Sequence, residues 1–136
     1  MRLKNHGEYV GRTLLGLMAM AIAMAACSGK TSSITLDSLP PGDAARGATV
    51  FTESINGTPP CSACHTDKST PAGPSLVNYR DEAGDRSNLS ADEYTLDSIV
   101  RPAKTILRGY SNTMYAGYGE KLSSQDIADL IAYMLD

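Results

Sequence analysis

The pentapeptide Cys61-Ser62-Ala63-Cys64-His65 constrains this chain more than any other feature, because it sets two thiols and an imidazole within about one turn of backbone. The fold around it must be small. The chain has 136 residues, 42% hydrophobic and 20% charged, which suits one domain. A domain of roughly ninety residues buries only a modest core of its own, so its interior is expected to be filled by something besides side chains. Twelve Lys and Arg against fifteen Asp and Glu give a net charge of −3 and no basic stripe, which excludes a nucleic-acid backbone as partner. The plentiful apolar residues exclude a disordered chain, and three cysteines are too few for a disulfide framework.

The N-terminus reads as an export signal. Arg2, Lys4 and Arg12 precede a run from Thr13 to Ala26 without a charge, shorter than the roughly 17–25 apolar residues that span a bilayer. Met24-Ala25-Ala26 before Cys27 resembles the lipobox of bacterial lipoproteins, in which that cysteine is acylated and becomes the mature N-terminus. The alternative is a retained short anchor with Cys27 as an ordinary thiol. The expected organisation is a signal peptide over 1–26, a lipid-anchored flexible tether over 27–42, and a folded domain over 43–136. Loss of Arg2, Lys4, Arg12 and Glu8 leaves nine basic and fourteen acidic residues, net −5. The tether is rich in Ser, Thr, Pro and Gly and ends in Pro40-Pro41-Gly42, a strong breaker.

Beyond Gly42 the pattern is helical. Asp43 caps a helix carrying Ala44, Ala45, Val50 and Phe51, with Arg46 and Glu53 facing outward, until Asn56-Gly57-Thr58-Pro59-Pro60 stops it. A Pro- and Gly-rich loop runs from Thr66 to about Asn88. Ser90 and Glu93 form a capping box for a helix with Tyr94, Leu96, Ile99 and Val100, which ends near Pro102. Ser123, Gln125 and Asp126 open the last helix, where Ile127, Leu130, Ile131 and Met134 recur on one face. No alternating β-branched run competes, so the expected class is all-α.

Cys-x-x-Cys-His is the attachment signature of c-type haem: two thiols spaced to form thioethers, followed by a histidine that ligates the iron. Three other readings compete. A structural zinc site wants four ligands, and Cys27, Cys61, Cys64 and His65 are all the mature chain offers. A thioredoxin-like pair expects a βαβ neighbourhood, and a plain disulfide leaves His65 without a role. The second axial ligand follows by elimination. His6 lies in the removed segment, and of six methionines only Met114 and Met134 remain in the mature chain. Met134 belongs to the apolar face of the last helix, whereas Met114 sits in a polar loop with no periodicity to account for it. The bland alternative is that Met114 covers a hydrophobic patch.

From Asp43 to Asp136 the chain resembles the class I, monohaem cytochrome c family, and its latter half resembles bacterial haem domains that end in a Met loop and an amphipathic helix. The matching pieces are Gly47 and Phe51, the CSACH segment, Gly73-Pro74-Ser75-Leu76, the Met114 loop and the terminal LIAYML. The resemblance implies a cytochrome c fold of three to four short helices around one covalent haem c. It implies a helix crossing built from Gly47, Phe51, Leu130 and Tyr133, and a Pro74 carbonyl that accepts the N–H of the His65 imidazole. It also marks a departure: Tyr115 stands where the family often has proline, so the Met114 loop is expected to be looser.

An iron held by His65 and Met114 has no open position, and a Met ligand raises the reduction potential. The expected function is therefore one-electron transfer rather than enzymatic bond-making, with no small-molecule substrate. The expected setting is the periplasmic or other extracytoplasmic face of a membrane, reached through a lipid anchor at Cys27, with respiratory or photosynthetic redox complexes as partners. A haem sensor or peroxidase-like protein with displaceable Met114 is the alternative, and a non-haem redox or metal module using Cys61 and Cys64 is a third. Arg80 and Arg86 read as a solvated charged stretch.

Overall fold

The computed structural model describes residues 33–136. The expected signal peptide and Cys27 lie outside the described residues. Five α-helices occur among the described residues: α1 (Ala44–Thr52), α2 (Tyr79–Glu82), α3 (Ala91–Val100), α4 (Tyr118–Lys121) and α5 (Ser124–Leu135), with 3-10 turns at Leu36–Ser38, Cys61–Ala63 and Ala83–Asp85. The only strand-like pairing among them is an isolated bridge between Thr70 and Gly73. The all-α expectation holds.

The three longer helices begin where their caps place them. The Asp43 carboxylate accepts the N–H groups of Ala45 and Arg46, and Ser90 with Glu93 and Ser123 with Asp126 form reciprocal capping boxes, which satisfy first-turn donors that would otherwise lack partners. α1 and α5 cross most closely. A Cβ on Gly47 would stand 2.0 Å from the Asp129 carbonyl oxygen, so only glycine lets the two backbones meet. Phe51 and Tyr133 close the crossing with ring centroids 5.5 Å apart. Asp129, 2% exposed, fastens it: its carboxylate accepts the Asp43 N–H at 2.7 Å, Arg46 Nη2 at 3.0 Å and Gln125 Nε2 at 2.9 Å. Arg46 thus engages α5 instead of simply facing outward.

The main core gathers Val50, Leu96, Ile99, Tyr118, Leu122, Ile127, Leu130 and Ile131, and a smaller cluster joins Tyr79, Ala83 and Tyr94. The Tyr79 hydroxyl donates to Thr95 Oγ1 at 3.0 Å, since the Thr95 hydroxyl gives its own proton to the Ala91 carbonyl at 2.7 Å.

Two sequence expectations need correction. The flexible tether does not extend to Gly42: Ile34, Leu36 and Leu39 pack on the main core, Gln125 Nε2 donates to the Pro41 carbonyl at 2.9 Å, and Gly42 lies against the Ala128 carbonyl, 2.2 Å from where a Cβ would stand. Three apolar residues around the 3-10 turn at Leu36–Ser38 are enough to dock the segment, though they make no helical stripe. The loop from Thr66 to Asn88 also contains α2 and a 3-10 turn. Beside the docked segment, Asp97 accepts from Arg101 and Lys104, and Arg101 reaches the Ile34 carbonyl at 3.5 Å. Burial pushes the Asp97 carboxyl up, but the hydrogen bonds and charges of Lys104 and Arg101 outweigh it and hold the group below the ordinary carboxylate range.

Replacing Gly47 by Ala forces α1 and α5 apart and should destabilise the fold by about 3 kcal/mol, the upper part of the usual overpacking cost. Chemical denaturation of the haem-loaded protein, read as a lower midpoint at unchanged slope, checks this.

Candidate functional site

Pro59 and Pro60 rigidify the chain ahead of the motif, and a 3-10 turn starts at Cys61. The Cys61 carbonyl accepts the N–H of Cys64 at 3.1 Å and of His65 at 2.9 Å. That tight turn delivers Cys61, Cys64 and His65 to one cavity. Both thiols are free. Burial, partly offset by a backbone hydrogen bond and reinforced by Cys64, raises the Cys61 thiol to about 11. A dithiol of the thioredoxin kind needs a depressed value instead, and among the described residues no three His, Cys, Asp or Glu side chains are grouped to hold a metal ion.

The histidine is held by backbone. Its Nδ1–H donates to the Pro74 carbonyl at 3.0 Å, and because a carbonyl only accepts, the proton sits on Nδ1 and Nε2 keeps its lone pair. The segment that brings Pro74 there is stitched to itself. Thr70 and Gly73 exchange backbone bonds of 2.9 and 3.2 Å, the Ser75 N–H donates to Ser69 Oγ at 3.0 Å, and the Ser75 hydroxyl donates to the Asp67 carbonyl at 3.2 Å. Gly73 lies close against the imidazole: a Cβ there would stand 3.1 Å from His65 Cε1 and 3.0 Å from the Cys64 carbonyl oxygen.

The cavity is an open-mouthed slot of about 200 Å³. Phe51 of α1, Leu130 and Met134 of α5, Ile99 of α3 and Leu107 supply apolar wall, and Met114 lines the same space. Met114 is half-buried although Thr113 and Tyr115 on either side are exposed, so its side chain turns inward from a polar loop. Two polar groups interrupt the lining. Arg86, its side chain 11% exposed, pairs with Glu82 at 2.8 Å and lies 4.9 Å over the Tyr79 ring. The buried Ser98 hydroxyl oxygen has no hydrogen-bond partner, which costs about 1–3 kcal/mol unless a ligand or water meets it. An apolar slot lined by two free thiols, one imidazole, a thioether, a guanidinium and an unspent hydroxyl has the donor set that a covalently held porphyrin takes.

Sequence reasoning missed Arg86 and Ser98. Arg86 stands in a charged run of the sequence, yet the 3-10 turn at Ala83–Asp85 brings its guanidinium over the Tyr79 ring. Ser98 occurs on α3, whose apolar positions gave no sign that a polar residue also reaches the cavity. Burial raises the hydroxyl of Tyr118, another wall residue, to about 12, with Cys61, Cys64 and Tyr115 adding to the effect, so it remains a donor; it gives its proton to the Pro59 carbonyl at 2.8 Å.

An all-α domain closed around a cavity into which Cys-x-x-Cys-His opens defines a c-type haem protein. The chain belongs to the cytochrome c family, whose model matches residues 44–136. Comparisons with curated proteins and with solved structures find no match. Membership makes it an electron-carrier haem protein with haem c attached covalently through Cys61 and Cys64.

Acidified organic solvent should therefore leave the haem on the wild-type chain and release it from a Cys61→Ala, Cys64→Ala double variant, as pyridine haemochrome spectra of the two fractions will show. Release from the wild type contradicts covalent attachment.

Proposed function

We propose that this protein is a membrane-tethered one-electron carrier whose iron is ligated by His65 and Met114, and that it passes electrons between respiratory or photosynthetic redox complexes or serves as a fixed subunit of one. The observation that carries the reading is the pinned imidazole: with Nδ1–H committed to Pro74 at 3.0 Å, the Nε2 lone pair is available in the same cavity that Met114 lines. Haem bound there supplies a one-electron couple. His65 and Met114 would hold the iron from both sides and leave it no position for substrate, and a thioether ligand together with an apolar surround would favour a high potential. Pro74 fixes the imidazole's tautomer and basicity. Arg86 offers a cation to a propionate.

The export signal and the lipobox-like sequence before Cys27 support an extracytoplasmic lipoprotein. The chain is docked from Ile34 onward, and the seven residue steps between Cys27 and Ile34 can span at most about 25 Å. Such an anchor keeps the carrier at high effective concentration beside membrane partners. The excess of acidic residues supports partners with a basic or apolar docking face and salt-dependent association.

Met134 also lines the cavity, so paired variants are decisive. Met114→Ala should abolish the ferric sulfur-to-iron band, admit carbon monoxide to the ferrous form, and lower the potential by about 0.1 V or more, within the roughly 0.8 V span that axial ligands set. Met134→Ala should keep the band. A Met114→Ala protein with its band and potential intact would overturn the ligation, and rapid carbon monoxide uptake by the wild type would favour a sensor.

Cys27→Ser should move the protein from the membrane to the soluble fraction of cells that process lipoproteins. Persistence in the membrane would count against the lipid anchor.

A further inference from the structure

The loop that carries Met114 has little structure of its own. Between Ser111 and Gly117 the one backbone bond runs from the Thr113 N–H to the Ser111 carbonyl at 2.9 Å. Its position is therefore set by side chains. On one side of Met114, the Thr113 hydroxyl donates to the Ala72 carbonyl at 3.3 Å, beside the segment that holds His65. On the other, the Tyr115 ring meets the Tyr118 ring edge to face, with centroids 5.1 Å apart and planes at 83°. Tyr115 folds back over its own chain to do so. Its ring takes the space that a side chain at position 117 would need, since a Cβ on Gly117 would lie 2.6 Å from Tyr115 Cζ. Tyr118 is 5% exposed, and its hydroxyl is tied to the Pro59 carbonyl at 2.8 Å, two residues before Cys61.

We propose that Tyr115 and Tyr118 are positioning residues that brace the Met114 loop against the haem-attachment segment, keeping the Met114 thioether on the iron. The inference rests on Met114 being the ligand. Tyr115 is 38% exposed, so its ring contributes less by burial than a core residue does; its consequence lies in where it fixes the adjacent methionine. Tyr118 carries that restraint to Pro59, so the two ends of the ligand set share one support. A ring at position 115 thus does for this loop what a rigid residue after the methionine would otherwise do, and Gly117 is the vacancy that lets the ring fold back.

The test uses the haem-loaded protein. The ferric sulfur-to-iron band and the rate of carbon monoxide uptake by the ferrous form at neutral pH are compared for wild type, Tyr115→Ala, Tyr115→Leu, Tyr115→Phe and Met114→Ala. Edge-to-face pairs have strengths that correspond to about two- to tenfold in an equilibrium constant. Tyr115→Ala should therefore raise the thioether-off population, and with it carbon monoxide uptake, by about two- to tenfold, and weaken the band. Tyr115→Phe should retain wild-type behaviour. Tyr115→Leu keeps bulk without a ring and should behave like Tyr115→Ala, which preserves the test should the smaller side chain fail to mature. A lower Tm in Tyr115→Ala and Tyr115→Leu with band and uptake unchanged overturns the brace, provided Met114→Ala loses the band. A band that survives Met114→Ala overturns the ligation reading itself, and the two failures are distinguishable.

Discussion

The contact on which the rest of the structure depends is the bare backbone approach of Gly47 to the Asp129 carbonyl. It brings α1 and α5 closer than side chains would allow, and the Asp129 carboxylate then accepts the first backbone N–H of the folded domain's leading helix. Phe51, Leu130 and Met134 are thereby placed along one side of the cavity. α1 also sets where the chain enters the Pro59-Pro60 segment, so the crossing positions the attachment turn as well as a wall. Gly42 repeats the device one step earlier, against Ala128, and docks the segment that precedes the helix.

The remaining walls are loops, and a domain this small has little apolar core with which to hold them. They are held by short polar links instead: Ser69 and Ser75 within the proximal segment, Thr113 to Ala72 across two loops, Tyr118 to Pro59. Each such bond contributes only about 1 kcal/mol net. A group attached in the cavity would meet wall residues from α1, α3, α5 and the loops alike and so supply apolar contact that the chain's own small core lacks.

The parts legible in the sequence were those governed by local rules. Asp43, Ser90 and Ser123 marked the three helix starts because capping needs only residues within one turn. Ile127, Leu130 and Ile131 marked the buried face of α5 because a helix repeats. The CSACH spacing is local chemistry, and Met114 stood out as an apolar residue that no local pattern explained. What escaped depended on distant partners. Ile34, Leu36 and Leu39 look like an unremarkable part of a Ser- and Thr-rich stretch until α3 and α5 are there to receive them. Arg86 sits in a charged run, and nothing within four residues announces that Tyr79 will lie beneath its guanidinium. Tyr115 looked like a loss of rigidity because the compensating ring and the vacancy at Gly117 are visible only in three dimensions.

On the proposed ligation, the two residues that would hold the iron differ in how they are supported, and the difference follows from chain connectivity. His65 is the next residue after an attachment cysteine, so its backbone is fixed by the turn that presents the thiols, and its ring by a carbonyl on one edge and by Gly73 close against it. Little can move without breaking backbone bonds. Met114 is 49 residues further along, on a loop with one internal bond, and is restrained through the side chains of Thr113, Tyr115 and Tyr118. Side-chain restraints yield before backbone ones do, so on the proposed ligation the Met114 side would give way first when this domain loosens through heat or denaturant, and His65 would keep its geometry. An electron carrier needs both ligands in place in both oxidation states to keep reorganisation small. With Met114 as the proposed second ligand, backbone holds the stiff side and side-chain contacts hold the soft side, so the soft side would set how closed the iron remains.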